Sequence, residues 1–449
     1  MSPEIVAVTG LVLIFVIAMT RKINMGAVAL VFAFVLGVTY FGQPVAEISG
    51  AFPGSLLITL LGVTYLFGMA RANGTIDQIV GAAVGLVRGR SALIPWVFFL
   101  LAAIITGSGA LSAATNAILV PVGLAFAHRY RISPLLVGLS ILNGTNAGGF
   151  SPIAVYYNIV DGVLKDIGIT IDPAPLFFWT FVASLVLNLV AFFLLGGREL
   201  IKRGRTTPEL NPSGGSPDTM GGPSGFSGSD STFGSGGTAA AVAAPTAAAL
   251  RTQSWTTPKI VTVSLMIGLL VAALGFKLDV GFLALTAAVI LSALYPRYAK
   301  EAAEQIGWNV ILLIGGIVTY IGVLEAAGVI DGLANSVAGI GTPLIAALVM
   351  FFVAGSVSAF ASTNAMFVVL VPLAAPLLLG GDLETLGFVI ALCIAATAVD
   401  SSPFSTGGAL VVANTDVELR EKTFRGMLVW AMAMIVAAPL LAWLAFVVI

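Results

Sequence analysis

Residues 107–117 read GSGALSAATNA, and residues 355–365 read GSVSAFASTNA. Each stretch interrupts an apolar run, and a second interruption follows each of them, GFSP at residues 149–152 and SSP at residues 401–403. At membrane depth, a polar and Gly-rich break in a helix is tolerated only where it lines a site enclosed by protein. Two such breaks in corresponding places of two halves are typical of the binding site of a secondary transporter.

The composition of the chain is that of a membrane protein. Of its 449 residues, 58% are hydrophobic and 9% are charged, and the mean hydropathy is +1.06. Apolar runs of the roughly 17–25 residues needed to cross a bilayer recur along most of the length. The formal net charge of −1 comes with no basic stripe, so nucleic acid is excluded as a partner. We expect an all-α polytopic membrane protein in a lipid bilayer.

One segment differs sharply from the rest. Residues 205–256 are rich in Gly, Ser, Pro, Thr and Ala, and they contain too little apolar surface to offset the entropy of ordering. We interpret this segment as a flexible cytoplasmic linker. It separates a first repeat, residues 1–204, from a second repeat, residues 257–449.

The two halves share further landmarks. The sequences VTY at residues 63–65 and GTID at residues 74–77 recur as VTY at residues 318–320 and GVID at residues 328–331. The Gly-Ser, Thr-Asn-Ala and Ser-Pro breaks then follow in the same order. Several landmarks in register indicate a duplicated unit.

Each half is predicted to contain five transmembrane helices and one re-entrant helical hairpin. The hairpins are expected at residues 91–128 and 342–380, and the fourth helix of each half is expected to be broken near the midplane, at residues 133–164 and 385–414. The other crossings are predicted at residues 3–20, 25–42, 53–72, 175–196, 258–276, 280–296, 308–327 and 423–448, with an amphipathic helix at residues 76–87.

The distribution of Lys and Arg predicts the orientation. Basic residues flank the first hairpin on both sides, at residues 88–90 and 128–131, so both of its ends are expected in the cytoplasm. The second hairpin has only acidic neighbours, which predicts that it enters from outside. Five crossings per half place both termini outside and make the second repeat inverted relative to the first.

The site is defined by what its breaks contain. They carry no Arg or Lys, so an anionic substrate would be held by Asn, Thr and Ser side chains and by the positive ends of half-helices. Backbone carbonyls and hydroxyls at the breaks suit a hard cation. Because an anion held without an Arg needs a co-bound cation to balance its charge, this chemistry favours cation-coupled symport.

The two Thr-Asn-Ala motifs are predicted to lie at the tips of the two hairpins. Together with the paired Ser-Pro breaks and the repeat, they resemble the divalent anion–sodium symporters of the ion-transporter superfamily. The resemblance is to the bacterial dicarboxylate (malonate) carrier branch called MatC in particular. That family has Ser-Asn-Thr at each tip and Gly-Thr-Pro-Pro at each break. This chain has Thr and Asn exchanged at both tips, at residues 114–116 and 362–364. The resemblance implies a homodimer in the inner membrane, with sodium as the coupling ion, no other cofactor, and a transport domain of hairpins and broken helices that moves as an elevator.

We therefore assign two sets of site residues. The predicted substrate-binding residues are Thr115, Asn116, Asn146, Ser151, Pro152, Ser362, Thr363, Asn364, Ser402 and Pro403. The predicted sodium ligands are Ser112, Asn116, Gly149, Ser358, Asn364 and Asp400.

Several alternatives stay open. Taken singly, a Thr-Asn-Ala motif is a helix-packing contact. Asp400 has three possible roles: a sodium ligand, a proton carrier or a helix cap. A proton-coupled carrier and a channel for another anion are rival functions, and an intramembrane enzyme is a weaker one because the lone histidine, His128, lies outside the predicted core. Malonate, succinate, malate, a tricarboxylate or an aromatic acid would suit the same donors.

Overall fold

The computed structural model describes residues 3–21, 23–86, 90–203, 255–276, 278–329, 342–359, 363–379 and 383–448. Nearly all of the predicted linker, together with Ser362, lies outside these ranges. The described part is built from helices, and most of their ends fall within a few residues of the predicted ones. In the first half the helices are α1 (Pro3–Arg21), α2 (Met25–Thr39), α3 (Val45–Gly50), α4 (Gly54–Ala72), α5 (Thr75–Leu86), α6 (Ile94–Gly107), α7 (Ser112–Arg129), α8 (Pro134–Gly148), α9 (Val155–Asp166), α10 (Pro173–Leu194) and α11 (Gly197–Arg203).

The described helices of the second half follow a similar order. They are α12 (Thr257–Phe276), α13 (Val280–Leu294), α14 (Ala299–Glu304), α15 (Trp308–Ala326), α16 (Pro343–Ser358), α17 (Thr363–Leu373), α18 (Ala375–Leu379), α19 (Thr385–Ala398), α20 (Thr406–Asn414) and α21 (Val417–Trp443). The short helices α3, α11 and α14 are additions to the predicted set, and α18 lies at the end of the predicted second hairpin. The last long helix begins at Val417, six residues earlier than predicted, so its first turns carry charged residues.

The apolar helices fall into two groups by length, those long enough to cross a bilayer and those that are shorter. Within the described ranges, four helical stretches are long and apolar enough to cross a bilayer: Val45–Ala72, Pro173–Leu194, Trp308–Ala326 and Val417–Val448. Val280–Leu294 with Pro296–Glu304, bent by 112°, would make a fifth. The remaining predicted crossings and the hairpin arms correspond to shorter apolar helices. The structure therefore establishes a multi-pass helical protein, and the number of crossings stays a prediction.

Contacts between the halves hold one group of helices together. Helix α2 packs against α15 so closely that a Cβ on Gly26 would collide with the backbone of Leu312, and one on Gly316 with the backbone of Gly26. Hydrogen bonds reinforce this packing: Asn24, which caps α2, donates to the carbonyl of Asn309 in α15 across 2.9 Å, and Tyr320 donates to the carbonyl of Ala7 in α1 across 2.8 Å. Helix α4 packs on α13 in the same way. Each half thus covers a face of the other.

A second group of helices surrounds the breaks. Helix α6 lies along α8, where a Cβ on Gly148 would collide with the carbonyl oxygen of Ala103. Helix α8 also packs against α10, α7 packs against α20, and α19 packs against α21. The absence of a side chain at Gly148 lets the two backbones touch, which fixes the end of α6 beside the end of α8.

The charged ends of the helices fall on two separate faces. On one face, Arg203 donates to the carbonyl of Arg131 across 3.1 Å, and His128 contacts Asp416 across 2.7 Å. Asp166 and Glu325 line a different cavity, beside the turn between α3 and α4. The basic clusters predicted to share the cytoplasmic side are therefore neighbours, away from a pair of acidic residues predicted to lie outside.

Candidate functional site

The first tip is built by the turn between α6 and α7, and the first break is the segment between α8 and α9. The turn is tight because Gly109 has a φ of +104°, a left-handed conformation that glycine adopts without strain. Ser151 of the break donates to the carbonyl of Gly107, which ties the break to the tip. Both elements are therefore fixed to each other by a direct side-chain contact.

Asn116 and Thr115 are buried at this tip, with exposed fractions of 3% and 0%. The hydroxyl of Thr145 on α8 shares its proton between Oδ1 of Asn116, at 2.8 Å, and the carbonyl of Ile141, at 2.9 Å. Thr106 donates to Thr115 across 3.1 Å. A Cβ on Gly407, at the start of α20, would lie 2.7 Å from the Nδ2 atom of Asn116. The amide of Asn116 therefore sits between the first broken helix and the second half-helix of the other repeat.

The second tip shows the same motif with one partner missing. Ser358 and Thr363 are buried and their hydroxyl oxygens lie 3.1 Å apart, as Thr106 and Thr115 do at the first tip. The Oδ1 atom of Asn364, however, is buried without a hydrogen-bond partner in the described part of the chain. Counting back from the proline of each break, Ala396 occupies the position that Thr145 has in the first repeat. An alanine has no hydroxyl to offer Asn364.

A cluster around Asp400 connects both tips and both breaks. The hydroxyl of Tyr156, at the start of α9, donates to Oδ2 of Asp400 across 3.4 Å. The side chain of Thr363 also lies beside the carboxylate of Asp400. Ser112, at the start of α7, lies beside the hydroxyl of Tyr156. Residues from α7, α9, α17 and the second break thus meet at one point.

The helix-cap role considered for Asp400 belongs to a different residue. Ser405 is the N-cap of α20, where its hydroxyl oxygen accepts from the backbone N–H of Gly408 across 3.1 Å. Ser405 also donates to the backbone carbonyl of Asp400, so the break is held closed without the carboxylate. The carboxylate of Asp400 is therefore directed to Tyr156 and Thr363.

The structure gathers most of the predicted residues and sets others apart. Pro152, Ser402 and Pro403 are buried in the two breaks, where Ser402 accepts from the backbone N–H of Phe404 across 3.2 Å. The carbonyl of Gly149 accepts from the backbone N–H of Tyr157 across 3.2 Å. Asn146 donates through Nδ2 to the carbonyl of Thr397 across 2.8 Å and faces α10 instead of a tip.

Three contributors to this site were missed in the sequence. Tyr156 lies four residues beyond Pro152, and Thr106 and Thr145 lie in apolar helices before the first tip and the first break. Their hydroxyls point into the site because the breaks bend the chain back on itself. A threonine one turn before a break was a signal available in the sequence, whereas the role of Tyr156 depends on a contact across 244 residues.

The arrangement brings oxygen atoms and one acidic group together where residues of both tips and both breaks meet. Neutral acceptors from Asn and Thr combined with a carboxylate suit a monovalent cation, because one negative charge is balanced without an excess. The carboxylate disfavours a bare anion nearby. A cation beside Asp400 would remove that repulsion.

The fold defines a class, namely multi-pass helical membrane proteins with broken helices. The structure is similar to that of the Alcanivorax borkumensis YdaH transporter, with a TM-score of 0.58 and 12% identity, over 99% of this chain and 98% of that chain. It is also similar to MtrF of Neisseria gonorrhoeae, described among a class of antimetabolite efflux pumps, with a TM-score of 0.59 and 11% identity, over 92% and 84% of the two chains. At these identities the likeness establishes the fold alone.

The family is indicated by the N-terminal third of the chain. Residues 1–149 match the family described as "Dicarboxylate carrier protein MatC N-terminus", which confirms the resemblance predicted from the motifs. A curated relative, the magnetosome protein MamN of Paramagnetospirillum magneticum (strain ATCC 700264 / AMB-1), is 29% identical over 138 residues, which are 30% of this chain. The match spans about a third of that relative, 32% of its length. The family match and the shared fold support a secondary transporter.

Proposed function

We propose that this protein is a sodium-coupled carrier of a small dicarboxylate, such as malonate or a C4-dicarboxylate, that works by an elevator-type alternating-access mechanism. The observation that carries the proposal is the unpartnered Oδ1 of Asn364. Asn364 follows Thr363 in the chain, and the side chain of Thr363 lies beside the carboxylate of Asp400. A buried acceptor without a donor is costly at membrane depth, and a bound cation satisfies it. Asp400 supplies the compensating charge.

The substrate is assigned to the space between the tips. Sodium held by Asn364, Ser358 and Asp400 would offset the repulsion between that carboxylate and an incoming dicarboxylate. The start of α20, close to Asn116, offers the positive end of a half-helix to one carboxylate of the substrate. Because neither tip carries Arg or Lys, substrate binding depends on the cation, and coupling follows from this dependence.

The packing of the helices supports the elevator. The helices that carry the tips and breaks pack among themselves, and α2, α4, α13 and α15 form a separate group across the two halves. The groups meet where α9 contacts α4 and α17 contacts α15. Under the proposal, the first group moves as the transport domain against the second, which serves as the scaffold and carries the homodimer interface.

Proton coupling is the second candidate, and the contact between Tyr156 and Asp400 favours it. A carboxylate that is hydrogen-bonded by a phenol can take up and release a proton during the cycle. In that mechanism Asp400 carries the coupling ion itself, and sodium is not required.

Transport by purified full-length protein in proteoliposomes tests the proposal. Labelled malonate or succinate is expected to accumulate with an inward sodium gradient, and unlabelled dicarboxylate inside is expected to accelerate entry by exchange. Asn364→Ala is expected to weaken sodium-dependent uptake by one to two decades, since losing a hydrogen-bond-like contact to a charged group costs about 1.5–3 kcal/mol. Asn414→Ala removes the same amide from an exposed site on α20 and is the matched control.

Three outcomes would contradict the proposal. Uptake driven equally by a choline gradient and abolished by a protonophore would support the proton mechanism. Flux without exchange acceleration would indicate a channel. Equal sodium dependence in Asn364→Ala and Asn414→Ala would remove Asn364 from the cation site.

A further inference from the structure

A cluster of buried polar side chains lies between α8, α10 and α19, on a different face of the broken helices from the tips. It is formed by Asn143 and Asn146 of α8, Thr180 and Ser184 of α10, and Thr397 of α19. Their exposed fractions are between 1% and 6%. The opposite face of α10 exposes large apolar side chains such as Phe178, Val186 and Val190. The cluster is therefore enclosed within the helix bundle, behind an apolar surface.

The hydroxyl protons of the two threonines in this cluster are bonded within their own helices. Thr180 donates to the carbonyl of Leu176 across 2.8 Å, and Thr397 donates to the carbonyl of Cys393 across 2.7 Å. A threonine that donates to its own helix in this way keeps its oxygen lone pairs free. The oxygen atoms of Thr180 and Thr397 therefore face the cleft as acceptors.

Asn146 adds an acceptor with no donor. Its Nδ2 atom is fixed because it donates to the carbonyl of Thr397 across 2.8 Å, and this leaves Oδ1 buried without a partner in the described part of the chain. The amide of Asn143 also has an unpartnered nitrogen atom. An Asn side chain presents its oxygen atom instead of its nitrogen atom after a half-turn about χ2. The cleft thus offers up to four or five neutral oxygen atoms.

We infer that this cleft is a second kind of cation site, which binds one Na⁺ through the neutral oxygens of Asn146, Thr180 and Thr397, supplemented by Ser184 and Asn143. An anion is disfavoured because most of the lining atoms are acceptors. A divalent cation is disfavoured because the described lining contains no carboxylate. A monovalent cation satisfies the unpartnered oxygen atoms with a single charge.

The cleft is narrow, and no water-sized sphere fits between its walls. An ion held there would therefore carry no water of its own. A small ion such as Na⁺ would separate the walls less than the larger K⁺ would.

The site would also fasten the two repeats to each other. Asn146 belongs to the first broken helix and Thr397 to the second, and their hydrogen bond already joins α8 to α19. An ion shared with Thr180 adds α10 to this junction. Occupancy is therefore expected to stabilise the protein with no substrate present, which distinguishes this site from one that assembles only around the transported anion.

The test measures sodium binding to the full-length protein in detergent, with no carboxylate present. Radiolabelled sodium is expected to bind, and sodium is expected to raise the melting temperature more than choline or potassium does. Thr180→Val removes one ligand oxygen at nearly constant volume and is expected to raise the sodium concentration for half-maximal stabilisation by roughly one to two decades. Ser184→Ala is a second variant of the same site, with a smaller expected effect.

Thr319→Val is the matched control, because Thr319 is equally buried and donates to the carbonyl of Gly315 within α15, away from the cleft. It is expected to keep the sodium dependence of the wild type. Combining Thr180→Val with Asn364→Ala is expected to weaken sodium binding at two sites, and each single variant at one.

Two results would overturn the inference. The first is a wild-type protein stabilised equally by sodium and choline. The second is an unchanged sodium dependence in both Thr180→Val and Ser184→Ala. Sodium binding that is sensitive to Thr180→Val in a protein that transports no dicarboxylate would contradict the proposed function alone.

Discussion

The phenol of Tyr156 donates a hydrogen bond to Oδ2 of Asp400 across 3.4 Å, and this contact joins the first broken helix to the break of the second. The two residues are 244 positions apart in the chain. Asp400 is the only charged residue between positions 385 and 415. The side chains around its carboxylate therefore determine whether it binds a cation or a proton. Its contacts to Tyr156 and Thr363 come from both halves.

Replacing Asp400 with Asn separates the two coupling mechanisms. If the carboxylate is a sodium ligand, Asp400→Asn is expected to raise the sodium concentration for half-maximal uptake by about tenfold or more. If it carries the proton, the variant is expected to lose pH-driven accumulation and to retain exchange. Uptake in proteoliposomes at varied sodium and pH measures both.

Tyr156→Phe is the companion variant, since it removes only the hydroxyl. Under sodium coupling it is expected to change the sodium dependence less than Asp400→Asn does. An Asp400→Asn variant with the sodium dependence of the wild type argues against the carboxylate as a ligand.

Ala396 offers a direct test of the unpartnered amide at the second tip. Ala396→Thr places a hydroxyl where the first repeat has Thr145, and this hydroxyl is expected to bond Oδ1 of Asn364 in competition with sodium. The expected result is a higher sodium requirement for uptake. Ala396→Val has the same size without the hydroxyl and controls for crowding at a residue that is 1% exposed. Identical sodium requirements in the two variants would argue that Asn364 does not bind the ion.

The topology can be tested by labelling single cysteines in intact cells. Arg90 and Arg129 flank the first hairpin and are exposed, whereas their neighbours Ser91 and Tyr130 are buried and make poor probes. Cysteines replacing Arg90 and Arg129 are expected to react only from the cytoplasm. Cysteines replacing Thr342 and Leu379, which flank the second hairpin, are expected to react only from outside. Labelling of all four from one side would be incompatible with an inverted repeat.

Gly148 provides a test of packing. Gly148→Ala is expected to destabilise the protein by about 1–3 kcal/mol, because its Cβ would collide with the carbonyl of Ala103 and force α6 away from α8. Gly268→Ala in α12 meets no atom within 4 Å and is the control. It is expected to be neutral or stabilising by up to about 1 kcal/mol. A thermal-shift assay of both variants decides whether the close contact contributes to stability.

The order and the ends of the helices could be predicted because each depends on local sequence. Apolar runs, the proline and glycine residues at their ends, and the motif copies around Asn116 and Asn364 are all visible in the chain. Position in three dimensions was harder to predict. Asn146 was predicted to bind the substrate, and the structure places its amide against Thr397 and α10. No local sequence pattern predicts which carbonyl on another helix will accept a hydrogen bond from a given amide.

The same reason explains the missed Tyr156. Its hydroxyl is functional only because the chain brings Asp400 beside it, and a tyrosine two residues into a buried helix otherwise indicates packing. The difference between Asn116 and Asn364 was also hidden. The two motifs are alike, but the amide oxygen of Asn116 has the hydroxyl of Thr145 beside it. The corresponding position of the second repeat holds Ala396, and Oδ1 of Asn364 has no partner in the described residues.

The interleaving of the two halves has a consequence for how the protein is made. Helices α1 and α2 leave the ribosome long before α15, and Ala7 and Tyr320 are 313 residues apart. Throughout that interval the groove at Gly26, which α15 will fill, faces lipid or an insertion factor. Contacts this distant in sequence form slowly and leave early segments exposed. A ribosome that stops before Trp308 therefore releases an inserted but unfinished bundle, an obvious substrate for membrane quality control.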